Sequence, residues 1–140
     1  MKKTALTLSV VLVILFAMGF AAVKAIDYQH SIRKHLPSGA KEVKEEIYGM
    51  NDFTRYMKAK CSEADFETFK RNLGYTEENL LGESEVDSFS WSQVNTDPVD
   101  SWWSPTGKIE GSYGRYDESS EFYSMIKYED GHAYFIAQKW

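Results

Sequence analysis

The sequence predicts an α+β domain behind an apolar N-terminal segment. Three observations carry that expectation. Twenty consecutive residues, Thr4 to Val23, hold no charge. Ser62 to Gly74 has the caps and apolar spacing of one helix. Several short alternating stretches, one pair joined by Asp130-Gly131, have the pattern of antiparallel strands.

The N-terminal run follows Lys2 and Lys3 and is rich in Leu, Val, Ile, Phe and Ala. At about 1.5 Å per helical residue it reaches roughly 30 Å, the thickness of a bilayer's hydrocarbon core. Residues 1–25 are therefore expected to be a transmembrane anchor or a signal peptide. Val23-Lys24-Ala25 supplies a small-x-small cleavage site. The run is nevertheless longer than a typical signal core, so its length suits a retained anchor better. Residues 26–39 form a stalk or linker, and 40–140 the soluble domain. Lys24, Arg33, Lys34 and Lys41 follow the segment, so loop charge alone sets no orientation. Both the signal and the anchor pattern place the domain outside the cytoplasm. The expected localisation is a single-pass protein of the inner membrane, or an exported one if the segment is cleaved.

From Asp27 onward 13 basic residues face 21 acidic ones, a net charge of −8. Asn72 to Trp140 alone carries 4 basic and 13 acidic residues. Such a surface repels nucleic acid and anionic headgroups. Cys61 is the single cysteine, so no disulfide can form within the chain.

Leu36-Pro37-Ser38-Gly39 is a turn. Lys41 to Tyr48 is ambiguous. Val43 and Ile47 suit a helix face, whereas a strand would put Glu45 between them and bury a charge. Gly49 to Asp52 is a turn. Phe53 to Cys61 alternates, with Phe53, Arg55, Met57, Ala59 and Cys61 on one face; Arg55 is the misfit. If both stretches are strands they form a hairpin. Ser62 then caps a helix with Asp65 in the capping-box place, and Phe66, Phe69 and Leu73 form its apolar stripe. Gly74 closes it. Thr76 to Gly82 is one more capped turn, and Glu83 to Gly107 a long acidic loop with Trp91, Trp102 and Trp103. A meander follows: Lys108 to Tyr116, Phe122 to Glu129, then His132 to Trp140 as a central strand with aromatics on both faces. The expected sheet has four or five strands with the helix on one face.

No catalytic, cofactor or metal motif emerges. Cys61 precedes a helix cap, which can activate a thiol, but no base is tied to it; His30, His35 and His132 lie elsewhere in the chain. A small buried residue is the simpler reading. Asp97, Asp100, Asp117, Glu118 and Glu121 lack the spacing of a calcium loop. Glu110, Glu118 and Glu121 could be posed as an acid/base pair, as in any acidic domain. The unusual feature is aromatic content, 15% of the chain. Trp91, Trp102 and Trp103 make the candidate interaction surface, since exposed tryptophans anchor interfaces and stack on sugars.

Leu36-Pro37-x-x-Ala40, the Phe66/Phe69/Leu73-Gly74 helix, Trp91, Trp102-Trp103-x-Pro105 and Asp130-Gly131-x-x-Tyr134-Phe135 together resemble small membrane-anchored bacterial proteins of unknown function. That resemblance implies no activity and transfers no functional residue. The expected function is a non-enzymatic binding or accessory domain with a protein partner. The alternatives are an envelope hydrolase or carbohydrate-active enzyme using acidic residues near Trp102 and Trp103, and an inhibitor or immunity-type protein that binds a basic partner.

Overall fold

A computed structural model describes residues 13, 31–49, 53–81, 102–106, 109, 111–119 and 121–139. The chain divides into two compact units, Met1–Lys34 and His35–Trp140. Within the first, the described residues are Val13, which is helical, and 31–34, which enter a short 3-10 turn at Ile32–His35. Among the described residues no helix is long and apolar enough to cross a membrane. The expected anchor at 4–23 lies outside them, Val13 apart.

The second unit is a five-stranded antiparallel sheet: β1 (Lys41–Tyr48), β2 (Thr54–Lys60), β3 (Tyr113–Asp117), β4 (Phe122–Glu129) and β5 (His132–Lys139), in the order β1-β2-β5-β4-β3. The ambiguous 41–48 stretch is thus a strand, paired with β2 as a hairpin through Glu46↔Tyr56 and Tyr48↔Thr54. Its register slips between Lys41 and Lys44, where Glu42 adopts a φ of 51°. A bulge of that kind, with charges around it, keeps an edge strand from pairing with other chains. Asp130 and Gly131 turn β4 into β5 with φ of 48° and 74°, the left-handed pair that a type I′ hairpin requires. β5 is the central strand, as its two aromatic faces predict.

β3 is shorter than its sequence suggests and starts at Tyr113 rather than Lys108. The reason is a turn: Gly111 has φ 77°, and the Ser112 N–H donates to the Ile109 carbonyl at 2.8 Å. Gly114 lies in the strand because a side chain there would collide with Leu81, 2.9 Å from the position of its Cβ.

Helix α1 (Glu63–Asn72) has its predicted caps. The Asp65 N–H donates to Ser62 Oγ at 3.1 Å, and the Ser62 N–H points back to the Asp65 carboxylate at 3.4 Å. At the other end, the Gly74 N–H bonds the Arg71 carbonyl and the Tyr75 N–H the Lys70 carbonyl, at 2.9 and 3.1 Å. With Gly74 at φ 79° this satisfies the last free carbonyls of the helix. Phe66 and Phe69 are buried and Leu73 half-buried. The Phe66 ring meets Tyr128 of β4 at 5.5 Å, and the Tyr75 hydroxyl bonds Ser124 Oγ at 2.7 Å. The register puts Met57, Phe135 and Ile126 side by side across β2, β5 and β4 on that same face.

The opposite face is also covered. Tyr56, Ile136 and Met125 align across the same three strands, and they form a buried cluster with Tyr134, Trp103 and Ile109. Tyr56, which the alternation assigns to the face away from Met57, is therefore fully buried.

Candidate functional site

The face opposite α1 is built around Tyr134 on β5. Cross-strand register sets Lys58 of β2 on one side of it and Lys127 of β4 on the other. Residues 102–106 lie over this Lys-Tyr-Lys row as a strap. The Trp103 ring packs edge-on against Tyr56 and Tyr134, with centroids 5.1 and 5.4 Å away. Offset and edge contacts of this kind add about 0.5–1.5 kcal/mol per pair to simple burial. Trp103 and Pro105 are buried, whereas Ser104 and Thr106 are exposed.

Both ends of the strap are fixed by ionisable side chains. At the first end, the Lys58 ammonium donates to the Trp102 carbonyl at 3.0 Å, and the Trp102 indole N–H donates to Glu46 Oε1 at 3.1 Å. The other carboxylate oxygen of Glu46 accepts from the Tyr48 hydroxyl. Lys44 reaches within 6.0 Å of the Trp102 ring. At the second end, the Lys127 ammonium donates to the Thr106 carbonyl at 2.9 Å and approaches Glu129 at 3.2 Å. The Thr106 N–H donates to Glu129 Oε2 at 2.8 Å, and its hydroxyl to the other oxygen of Glu129.

This clasp perturbs its own ionisations. Burial pushes the Lys127 ammonium below the ordinary lysine value, against the pull of Glu129. Burial alone would raise Glu129. The donors of Thr106 and Lys127 outweigh it and hold the carboxyl below its ordinary range.

The two described tryptophans of the sequence-selected three differ in burial. Trp103 belongs to the core, and Trp102 is half-buried at the rim beside β1. Trp91 lies outside the described residues. The Trp102 and Trp103 rings meet edge to face 5.9 Å apart, with Trp103 toward the sheet and Trp102 toward Glu46 of β1. The sequence reading missed Glu46, Lys58, Lys127 and Glu129. Their signal was weak but present. Lys58 follows Tyr56 and Lys127 follows Met125 on the same face of their strands, so each puts a charge next to an apolar side chain.

Catalytic arrangements gain little here. Cys61 is buried, and that burial pushes its thiol up, away from the reactive thiolate. The His132 ring nitrogen Nδ1 pairs with the Asp130 carbonyl at 2.8 Å. Glu46 and Glu129, the carboxylates that touch the strap, are both occupied with holding it. Glu118 and Glu121 are exposed, and Asp97, Asp100 and Glu110 lie outside the described residues. Among the described residues no group of three or more His, Cys, Asp or Glu side chains could hold a metal ion.

Among the described residues Lys70 is the other buried cation. Its burial disfavours the charge, but hydrogen bonds to Glu67, Tyr113 and Glu77 outweigh that and raise its pKa. Its ammonium also sits 4.2 Å from the Tyr113 ring centroid. The group ties α1 to β3 and leaves no donor directed outward to a ligand.

No protein-family model matches the chain, and neither a curated protein nor a solved structure matches it.

Proposed function

We propose that this chain is a non-enzymatic binding or accessory domain, held at the outer face of a bacterial inner membrane by residues 4–23. The observation that supports a binding role is Trp102. The residue is only partly buried, yet its indole is held by Glu46 and by the Trp103 ring 5.9 Å away, and its backbone carbonyl by Lys58. An aromatic held rigidly at a surface loses little conformational entropy when a partner covers it, which is the property of an interface anchor.

The test is Trp102→Ala in the full-length, membrane-inserted protein. The fold should persist, and the protein that co-purifies after cross-linking should be lost. Retention of the same partner at the same yield removes Trp102 from the interface. The anchor is tested separately. A protein whose N-terminal sequence begins at Ile26 is exported and cleaved, and the membrane part of the reading then fails.

A second reading, an inhibitor of a basic protein, draws on the exposed Glu77, Glu78, Asp117 and Glu118 near β3. Salt dependence distinguishes the two. Binding through an acidic face weakens steeply with ionic strength, whereas binding through Trp102 does not.

A further inference from the structure

The strap is held in the way a peptide-binding face holds a ligand. Its one deeply buried aromatic occupies a slot between two tyrosine rings. Half of its polar anchors on the sheet are backbone atoms that any peptide possesses. The Trp102 and Thr106 carbonyls each receive a lysine ammonium, from Lys58 and Lys127, and the Thr106 N–H meets Glu129. Lys127 is 4% exposed. Burying an ammonium is costly, and an apolar residue of similar size would fill the space at least as stably. An ammonium aimed at a carbonyl contributes recognition of a backbone rather than bulk.

We infer that the face formed by Tyr56, Lys58, Lys127, Glu129 and Tyr134 is a peptide-binding face, and that residues 102–106 are its intramolecular occupant. The ligand class is an extended peptide segment presenting one tryptophan or tyrosine, with a backbone carbonyl on each side for the two lysines. The face rests on the binding-domain reading and adds to it that the partner contributes such a segment and displaces the strap. A tethered occupant acts at an effective concentration in the millimolar range. A free peptide therefore sees a face available only for the fraction of time the strap is off, and its apparent affinity falls by that fraction.

The probe is a fluorescent, end-capped peptide with the sequence of residues 102–106, titrated into the full-length protein in nanodiscs. Two variants loosen the occupant: Trp103→Ala empties the slot, and Thr106→Pro removes the N–H that Glu129 accepts. Amide exchange on β4 and β5 reports whether the sheet stays folded. The peptide should bind a loosened, folded variant at least about tenfold more tightly than wild type, the factor by which strap occupancy masks the face. A peptide with alanine in place of its second tryptophan should not. Equal binding to wild type and variants, or none to either, overturns the inference. So does loss of sheet protection in both variants, because the strap is then inseparable from the core. Failure of Trp102→Ala to lose its partner would leave these outcomes untouched, so the two readings fail independently.

Discussion

Arg55 of β2 and Glu45 of β1 meet on the sheet face that carries α1, with Nε 3.8 Å from Oε1 and side chains only 18% and 8% exposed. Each is a misfit in the sequence, a charge in an otherwise apolar position. In the fold they are diagonal neighbours, because Glu45 pairs with Met57 and Ile47 with Arg55. The two anomalies answer each other. The pairing also favours the strand over the helix for 41–48, since only the hairpin brings the carboxylate to the guanidinium.

Removing one member should therefore cost more than removing both. Glu45→Ala leaves a mostly buried guanidinium without this carboxylate, and the expected loss is about 1–3 kcal/mol, below the 3–5 kcal/mol of a fully buried pair because the contact is long and partly wet. The double variant Glu45→Met/Arg55→Met should lie near wild type. Urea melts of the four proteins give the coupling directly. Strictly additive losses mean that the pair is not an interaction.

Phe69 is fully buried under the sheet, and Phe69→Ala should cost about 3–5 kcal/mol, as for other core aromatics. Ser62→Ala removes the hydroxyl that caps Asp65 N–H and should cost about 1 kcal/mol. Chemical denaturation checks both. An unchanged midpoint for Phe69→Ala would mean that the helix does not bury this face.

These helix features were legible in the sequence because they are local. A cap, a stripe and a terminal glycine lie within thirteen residues of one another. The Asp130-Gly131 turn and the central place of β5 were legible for the same reason. The strap was not. Its partners, Glu46, Lys58, Lys127 and Glu129, come from three strands, and Lys58 and Trp102 are separated by 44 positions. Alternation assigned Tyr56 to the far face correctly, but it could not show that Trp103 would cover that face. Nothing local distinguishes Trp102 from Trp103; what buries the second is its contact with Tyr56 and Tyr134, from two strands distant in sequence.

The Glu129 clasp should be visible as acid sensitivity. Its folded carboxyl is held below the ordinary value of 4.5. A depressed carboxyl contributes stability that is present above its unfolded pKa and is lost as pH falls through the folded one. Glu129→Gln should therefore melt lower than wild type at pH 7, and the gap should close progressively below about pH 4.5. Thermal melts from pH 7 to pH 2.5 follow it. A gap independent of pH would assign the loss to packing instead of charge.

The last prediction separates the two tryptophans of the strap. Trp103, 5% exposed between Tyr56 and Tyr134, should behave as a core aromatic, and Trp103→Ala should cost about 3–5 kcal/mol. Trp102 is half-buried. Its loss removes one indole hydrogen bond, but Glu46 keeps the Tyr48 hydroxyl as a donor, so no carboxylate is stranded. Trp102→Ala should cost only about 1 kcal/mol, and Trp102→Phe, which keeps the ring and deletes the N–H, about the 0.5–1.5 kcal/mol of a single hydrogen bond. The difference matters for function. A residue that contributes little to folding, yet is fixed by Glu46 and Lys58, is free to be selected for what it touches outside the domain. If Trp102→Ala instead destabilises as much as Trp103→Ala, both indoles belong to the core, and the rim beside β1 loses its standing as an interface.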